Sequence, residues 1–156
     1  MGIKSFQGKR DESQGKIEAQ ILVADYMTTK LVTFKAEDSL DHVISQLIKY
    51  KISGGPVVND KNELVGIISE TDCIKHISES KYYNMPADRN NTVGKYMVTD
   101  VDTIDQNMNI FDAAFKFISS RRRRFPVIDK NRKLIGQLSQ KDVLKAAIKV
   151  KGNTWK

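Results

Sequence analysis

Two stretches of the chain share the pattern Gly-x-x-Ser-x-x-Asp, at residues 66–72 and 136–142. A serine followed three residues later by an acid is typical of a capping box, in which both side chains satisfy N–H groups at a helix N-terminus. The same geometry suits a nucleotide, because free backbone N–H groups bind phosphate and a fixed carboxylate accepts hydrogen bonds from a ribose cis-diol. Both interpretations stay open, since a cap can hold the helix and still present its outer edge to a ligand.

A run of four arginines at residues 121–124 stands directly before the sequence Phe-Pro-Val-Ile. The chain has 156 residues and a formal net charge of +7. This charge favours anionic partners, namely nucleotides, nucleic acid or an acidic membrane surface. Taken alone, a run of charge is typical of a solvated face. Composition therefore indicates an anionic partner without choosing among these classes.

The remaining reactive residues exclude several kinds of site. Cys73 is the one cysteine, so the sequence predicts no disulfide, and its place in an apolar helix stripe predicts a buried side chain. His42 and His76 are too few and too scattered for a zinc centre, and we expect His42 at a helix surface and His76 facing solvent or at an edge. No Ser-His-Asp or Cys-His spacing and no Walker loop occurs, so the sequence predicts a protein that is not an enzyme.

No apolar run approaches the roughly 20 residues that cross a bilayer. The first residues, MGIKSFQGKRDESQGK, lack the apolar centre of a signal peptide. The sequence therefore predicts a cytoplasmic protein without a membrane span.

Residues 23–75 align with residues 93–145 at a constant offset of 70 and without a gap. The matched positions lie at turns and element ends: Tyr26, Met27, Thr33, Pro56, Leu64, Gly66, Ser69 and Asp72 with Tyr96, Met97, Thr103, Pro126, Leu134, Gly136, Ser139 and Asp142. This similarity predicts two copies of one supersecondary unit. We expect the following division of the chain: a flexible extension at 1–20, repeat one at 21–78, a linker at 79–92, repeat two at 93–150 and a basic tail at 151–156.

Each copy predicts the order β-α-β-β-α, and hence a mixed α/β (α+β) fold. A short strand, 31–34 or 101–104, precedes a helix with apolar residues at i, i+3, i+4, i+7 and i+8; these are Leu40, Val43, Ile44, Leu47 and Ile48, or Ile110, Ala113, Ala114, Phe117 and Ile118. Ser39 and Asn109 stand near the expected N-caps. A hairpin follows, and then a second helix from Thr71 or Lys141 that would carry Ile74 and Ile77, or Leu144, Ala147 and Ile148, inward. Two such units packed together would cover each other's sheets.

The ordered set Y-M-x-T, amphipathic helix, G-P-V-V or F-P-V-I-D, and L-x-G-x-x-S-x-x-D occurs twice. This set resembles a tandem CBS domain protein (cystathionine-β-synthase-type domains, a pair being called a Bateman module). The resemblance implies two CBS units related by a pseudo-twofold axis, with two ligand clefts between them. It also implies that the protein binds adenosine-type nucleotides, forms a homodimer and reports the ligand to a protein partner.

Carried over residue by residue, the resemblance assigns Asp72 and Asp142 to the ribose hydroxyls, one in each cleft. The residues near ribose or phosphate would be Ser69, Thr71, Ser139 and Lys141. The residues on the base or sugar side would be Thr33 and Thr103. Adenine would lie on the chain before each proline, at Ile52–Pro56 in copy one and Arg122–Pro126 in copy two. The candidate residues of these segments are Ser53, Gly55, Pro56, Arg123, Arg124 and Pro126.

The two implied sites differ in charge. Arg123 and Arg124 match a basic pair that grips phosphate in many members of the family, whereas copy one has Ser53 and Gly54 at these positions. Lys141 in place of Thr71 is a second difference. The sequence therefore predicts an asymmetric module, with a phosphorylated ligand in one cleft and a less charged ligand, or none, in the other.

These features predict a regulatory module that binds AMP, ADP, ATP or a related nucleotide, requires no cofactor, and signals through dimerisation or an unidentified protein partner. One alternative is a nucleic-acid-binding basic protein. It is disfavoured because the arginines lie between a helix and a buried strand, with no aromatic residues interleaved for stacking. The other alternative is a degenerate scaffold that binds no ligand.

Overall fold

The computed structural model describes residues 21–82 and 91–154. The predicted extension at 1–20 and residues 83–90 of the predicted linker lie outside this part of the chain. Residues 79–82, which were also expected in the linker, belong to a helix, and residues 151–154 of the expected basic tail belong to another.

The elements occur in an order that repeats once along the chain. They are α1 (Val23–Tyr26), α2 (Leu40–Tyr50), β1 (Gly54–Val58), β2 (Leu64–Ser69), α3 (Glu70–Tyr82), α4 (Val93–Tyr96), β3 (Ile104–Asp105), α5 (Ile110–Ser120), β4 (Arg124–Ile128), β5 (Leu134–Ser139) and α6 (Gln140–Thr154). Helices and small sheets alternate, which confirms the predicted mixed α/β class.

The strands form two small sheets. β1 and β2 pair antiparallel, with Gly54 opposite Ser69, which confirms the hairpin predicted for copy one. In the other sheet the order is β3-β4-β5, and β3 runs parallel to β4. The predicted first strands are shorter than expected: 31–34 contributes a single parallel bridge from Phe34 to Val57, and 101–104 contributes only the start of β3.

The chain divides into two compact units that do not follow the sequence repeats. Within the described residues, unit 1 contains 21–29, 103–129 and 135–154. Unit 2 contains 30–82, 91–102 and 130–134. Each unit therefore combines the long helices and the sheet of one repeat with a segment from the start of the other repeat. We call these lead-in segments; they are residues 21–29 in unit 1 and 91–102 in unit 2.

Backbone hydrogen bonds attach each lead-in segment to its unit. In unit 1 the Val23 N–H donates to the Met108 carbonyl over 2.9 Å, and in unit 2 the Val93 N–H donates to the Asp38 carbonyl over 2.8 Å. These residues are related by the same offset of 70 as the sequence repeat. The repeated sequence thus specifies the same arrangement twice, with the lead-in segment of each repeat packed on the other repeat.

The glycines of the two Gly-x-x-Ser-x-x-Asp motifs lie where the lead-in segments pack. A Cβ atom at Gly136 would lie 2.7 Å from the sulfur of Met27, and a Cβ atom at Gly66 would lie 2.7 Å from the sulfur of Met97. The Thr28 and Val98 carbonyl oxygens would each lie 3.0 Å from the same Cβ atoms, so a side chain there would require both the methionine and the neighbouring backbone to shift. Glycine fits at both positions without any shift.

The first helix of each copy is capped as predicted. The Ser39 hydroxyl accepts from the His42 N–H over 3.1 Å, and the Asn109 side chain accepts from the Phe111 N–H over 2.8 Å. Leu40, Val43 and Leu47, and their equivalents in α5, are buried. The inward orientation predicted for Ile48 and Ile118 is wrong, because these side chains are 73% and 76% exposed. Each of them follows the first buried residue of its helix, Leu40 or Ile110, by eight positions, which turns its side chain about 80° away from that residue.

The orientation predicted for the second helices is also wrong. These helices begin at Glu70 and Gln140, one residue before Thr71 and Lys141. Ile74, Ile77, Leu144, Ala147 and Ile148 are all exposed, whereas Cys73 and Ala146 are buried. The physical reason lies in the cap. Asp142 is itself buried in the first turn of α6, and Leu144, two positions further on, points about 200° away from it and therefore toward solvent.

Candidate functional site

The Ser-x-x-Asp pairs form capping boxes at the start of α3 and α6. In copy one the Ser69 N–H and hydroxyl donate to Oδ2 of Asp72 over 2.8 and 2.9 Å. In copy two the Ser139 N–H and hydroxyl donate to Oδ2 of Asp142 over 2.8 and 3.0 Å. The aspartate N–H groups complete both boxes by donating to the serine hydroxyls. Within the described chain Oδ1 of each aspartate accepts none of these bonds, so one carboxylate oxygen per cap remains available.

The loop before the first hairpin strand lies against the same helix N-terminus in both copies. The Glu70 N–H donates to the Ser53 carbonyl over 2.9 Å. The Gln140 N–H donates to the Arg123 carbonyl over 3.2 Å, and the Gln140 side chain donates to the Arg122 carbonyl over 3.1 Å. The structure therefore brings each predicted loop beside its predicted serine and aspartate.

The predicted threonines lie at the same end of the sheets. Thr33 precedes Phe34, whose N–H donates to the Pro56 carbonyl over 3.0 Å. A Cβ atom at Gly55 would lie 2.8 Å from the Val32 carbonyl oxygen, so the two backbones approach as closely as a glycine permits. In copy two Thr103 precedes β3, and its carbonyl accepts from the Lys116 ammonium over 2.7 Å. All predicted residues of one copy thus fall in one unit: those of copy one in unit 2 and those of copy two in unit 1.

The predicted site residues differ in exposure. Thr33, Thr71, Arg123 and Lys141 are exposed; Ser53, Ser69, Asp72, Thr103, Arg124 and Ser139 are half-buried; Gly55, Pro56, Pro126 and Asp142 are buried. Asp142 is the sole buried acid of the described chain, at 8% exposure, and its cap is what compensates that burial. The role of these residues in ligand binding stays a prediction.

The arginine run is distributed over three environments. Arg121 ends α5 in the left-handed conformation, with φ 57°, and its counterpart Lys51 ends α2 in the same way, with φ 55°. Arg122 and Arg123 are exposed beside the start of α6, whereas Arg124 is half-buried as the first residue of β4. The run is therefore not a uniform solvated face.

Copy one differs from copy two most sharply at Gly54, the counterpart of Arg124. A Cβ atom at Gly54 would lie 2.7 Å from the Ile68 carbonyl oxygen and 3.1 Å from Cα of Ser69. Both contacts are to backbone, which cannot rotate away. The local packing of β1 on β2 thus excludes an arginine, or any side chain, at this position of copy one.

Cys73 and His42 have the exposure that the sequence predicts, whereas His76 makes a contact that it did not predict. Cys73 is 3% exposed, as predicted, and burial together with the charges of Asp72 and Glu70 raises the pKa of its thiol above the usual value. His42 is exposed, also as predicted. His76 is half-buried, and its Nδ1 lies 2.8 Å from the Tyr96 hydroxyl. Sequence reasoning missed this bond, because Tyr96 and His76 lie in different repeats.

Sequence reasoning also missed two surface features that could have been found from spacing. Lys141, Lys145 and Lys149 recur every four residues and are exposed on α6. Large apolar side chains are exposed on the two long helices of each copy, for example Phe115 at 71%. Within the described residues, no group of acids, histidines and cysteine is arranged to hold a metal. None of the helices described here has the length and apolar character to cross a bilayer.

The sequence profile of the CBS domain matches residues 23–79 and 93–149. The chain therefore belongs to the CBS domain family and contains two CBS domains in tandem, which confirms the resemblance inferred from its motifs.

Solved CBS pairs have a similar structure. The crystal structure of CBSX2 in complex with AMP, a protein of Arabidopsis thaliana, matches with a TM-score of 0.74 and 30% identity, over 84% of this chain and 98% of that one. The CBS domain pair of protein MJ0100, in complex with 5′-methylthioadenosine and S-adenosyl-L-methionine, matches with a TM-score of 0.67 and 25% identity, over 81% and 98%.

Among curated relatives, the protein MJ1225 of Methanocaldococcus jannaschii is 27% identical over 133 residues, which is 85% of this chain. The matched part spans 44% of the length of MJ1225 and 66% of the length of CBSX2, which carries the description chloroplastic. The cytoplasmic location expected for this chain stays a prediction.

Proposed function

We propose that this chain is a non-enzymatic regulatory module that binds adenosine-type nucleotides at the N-termini of α3 and α6. The observation that carries the proposal is the cap of α6, where Asp142 uses only Oδ2 to hold Ser139 and the Arg123 backbone closes against Gln140. Oδ1 of Asp142 is left to accept from ribose, and the start of the helix favours a negatively charged phosphate. CBSX2, a relative with AMP in its crystal structure, supports this class of ligand.

The copy-two residues form the stronger candidate for a phosphorylated ligand such as AMP, ADP or ATP. Arg123 directly precedes β4, Arg124 is the first residue of that strand, and Lys141 lies in the first turn of α6. Arginine recognises phosphate through paired, charge-assisted hydrogen bonds. Copy one offers Ser53, Gly54 and Thr71 instead, so it suits a neutral nucleoside or a ligand with less negative charge.

Isothermal titration with AMP and with adenosine tests this assignment. We expect the double substitution Arg123→Ala, Arg124→Ala to weaken AMP binding by at least about tenfold, because hydrogen bonds to charged groups are worth roughly 1.5–3 kcal/mol. Binding of adenosine, which lacks the phosphate, should change much less. Lys130→Ala is the matched control, since it removes a positive charge from an exposed turn outside the predicted set.

Asp142→Asn separates the ligand role of the aspartate from its structural role. The amide oxygen of asparagine can still accept from Ser139, so the cap is retained while the carboxylate charge is lost. We expect weaker AMP binding with little change in the unfolding midpoint of the free protein. Asp72→Asn, the same change in copy one, should leave AMP binding at the copy-two site intact.

Thermal stability measured with AMP, ADP, ATP, NAD, S-adenosylmethionine and cyclic dinucleotides decides whether any nucleotide binds. A ligand at one hundred times its Kd stabilises the folded state by about 2.7 kcal/mol. If none of them at millimolar concentration shifts the midpoint, the nucleotide proposal is wrong and the scaffold without a ligand takes its place. RNA binding that falls steeply with salt would instead favour the nucleic-acid alternative.

The output of the module would be a homodimer or a contact with a protein partner. The support is the set of exposed apolar side chains on the long helices, Ile48, Ile74 and Ile77 in unit 2 and Phe115, Ile118, Leu144 and Ile148 in unit 1. Apolar patches of this kind mark interaction surfaces on soluble proteins. Sedimentation of the free and AMP-bound protein tests the proposal, and a monomer under both conditions would leave only the partner protein.

A further inference from the structure

Lys116 lies on α5, outside the residues predicted to bind a ligand, yet it contacts two of the predicted segments of copy two. Its ammonium donates to the Thr103 carbonyl over 2.7 Å and lies 5.3 Å from the centroid of the Phe125 ring. Thr103 is predicted on the base or sugar side of the site, and Phe125 belongs to the segment 122–126 on which adenine would lie. All three residues belong to unit 1, so one charged side chain joins two segments of the same predicted site.

Two neighbouring residues of α5 hold the ring of Phe125. Phe125 is fully buried, and its ring centroid lies 4.7 Å from that of Phe117, with the planes tilted by 52°. The Lys116 ammonium lies over the same ring, and the attraction of a cation for an aromatic ring grows when water is excluded. Because Arg124 and Pro126 adjoin Phe125 in the chain, the position of this ring also sets the position of their backbone.

The same ammonium holds the first strand of copy two. Thr103 directly precedes β3, which runs parallel to β4 with Ile104 opposite Val127. A hydrogen bond from a charged donor is stronger than one between neutral groups, and Lys116 is half-buried. The contact therefore fixes the point at which the chain of Thr103 enters the sheet.

Copy one joins its equivalent segments without a charge. Gln46 and Gly55 stand at the positions of Lys116 and Phe125. A Cβ atom at Gly55 would lie 2.9 Å from the ring of Phe34, so the aromatic side chain at this junction comes from the segment 31–34 and not from the loop. The contacts of the Lys116 ammonium are therefore specific to copy two.

We infer that Lys116 is a positioning residue of the copy-two site, which orders Thr103 and the segment 122–126 for the nucleoside part of the ligand. The inference rests on the proposed function and adds a residue that acts through its neighbours. Since the ammonium bonds to the Thr103 carbonyl and packs on Phe125, its removal affects the side that would hold base and ribose. The phosphate, assigned to Arg123 and Arg124, is not its target.

Isothermal titration with AMP and with adenosine tests this role in the full chain carrying Asp72→Asn, which weakens the predicted copy-one site. Lys116→Met keeps an unbranched side chain but removes the charge and the donor. We expect this variant to bind AMP and adenosine more weakly by the same factor, about three- to tenfold. Arg123→Ala, Arg124→Ala should instead weaken the binding of AMP much more than that of adenosine, because adenosine lacks the phosphate.

Two substitutions are controls. Lys116→Arg keeps the positive charge and the hydrogen-bond donors, so it should retain most of the affinity. Gln46→Met makes the matched change in copy one and should leave AMP binding unaltered, because Gln46 belongs to unit 2. If Lys116→Met does not fold, Lys116→Gln, which introduces the residue of copy one, takes its place with the same expectations.

Amide hydrogen exchange of the free protein adds a measurement that needs no ligand. Lys116→Met should accelerate exchange in peptides that cover residues 101–105 and 124–128, because these segments lose the contact that joins them. Exchange at residues 140–145, where the capping box of α6 lies, should stay unchanged.

The outcomes separate this inference from the proposed function. Unchanged affinities in Lys116→Met overturn the positioning role and leave nucleotide binding standing, even if the unfolding midpoint falls. A loss for AMP alone also overturns it, because Lys116 would then act on the phosphate. Unchanged hydrogen exchange, or Lys116→Arg binding as weakly as Lys116→Met, contradicts a role for the ammonium. A parent chain that binds neither ligand contradicts the copy-two site and its positioning residue together.

Discussion

At the N-terminus of α3 the chain has Thr71 beside a loop that ends in Gly54, and at the N-terminus of α6 it has Lys141 beside a loop that ends in Arg124. The backbone hydrogen bonds of the two places are nearly the same: both caps use Oδ2 of an aspartate at 2.8 Å from the serine N–H. The two repeats thus preserve the geometry of the site while they change its charge. This separation indicates that the cap is a structural requirement that both copies share, whereas the charge beside it differs; that this charge selects the ligand stays a prediction.

Exchanging the residues at the loop ends is expected to have the largest effect on stability. Gly54→Arg brings a Cβ atom against the Ile68 carbonyl, so β1 must move away from β2, and we expect a loss of about 1–3 kcal/mol in the free energy of unfolding. Arg124→Gly creates no clash and should cost only about 0.5–1 kcal/mol through chain entropy. Urea denaturation measures both changes. Equal losses would mean that the strands of copy one accommodate a side chain after all.

The tyrosines of the two Tyr-Met pairs offer a second, smaller contrast. Tyr96 shares a hydrogen bond with His76, while position 146, the counterpart of His76, is a buried alanine and Tyr26 has no bond of this kind within the described chain. We expect Tyr96→Phe to lower the free energy of unfolding by about 1 kcal/mol and Tyr26→Phe to change it little. Denaturant titration of both variants provides the comparison, which would fail if Tyr26→Phe proved the more destabilising.

The smallest effect is expected where the two repeats agree. Lys51 and Arg121 both have positive φ at the end of a helix, a conformation that costs non-glycine residues about 1–2 kcal/mol. Glycine removes this cost but increases the entropy of the unfolded chain, so Lys51→Gly and Arg121→Gly should each stabilise the fold by up to about 1 kcal/mol. Opposite signs for the two variants in thermal denaturation would show that the helix ends are not equivalent.

Much of the local structure could be predicted from the sequence. The helix caps at Ser39 and Asn109, the hairpin in copy one and the capping boxes at Asp72 and Asp142 depend on residues within a few positions of one another. The predicted site residues of each copy fall in one unit, because the constant offset of 70 keeps the order of the motifs intact. Their role in binding stays a prediction.

The helix orientations illustrate where prediction from periodicity fails. Ile74 and Leu144 belong to apolar stripes, and a stripe normally marks the side of a helix that packs on the core. Here the caps rotate that stripe outward, because Asp142 at the third helical position is itself buried. The apolar residues of α3 and α6 are therefore exposed, and in these helices the stripe does not mark the side that packs on the core.

By itself, the sequence determined the repeated motif, the mixed class, the caps and the unequal charges of the two loops, because these depend on composition and on contacts between near neighbours. Only the tertiary structure decided which segment packs with which repeat. The contact of Met27 with Gly136 and the contact of Met97 with Gly66 join residues far apart in sequence, so the partner of each glycine is visible only in the folded chain. The exclusion of a side chain at Gly54 has the same origin, since it depends on backbone of β2 that would lie 2.7 Å from a Cβ atom at this position.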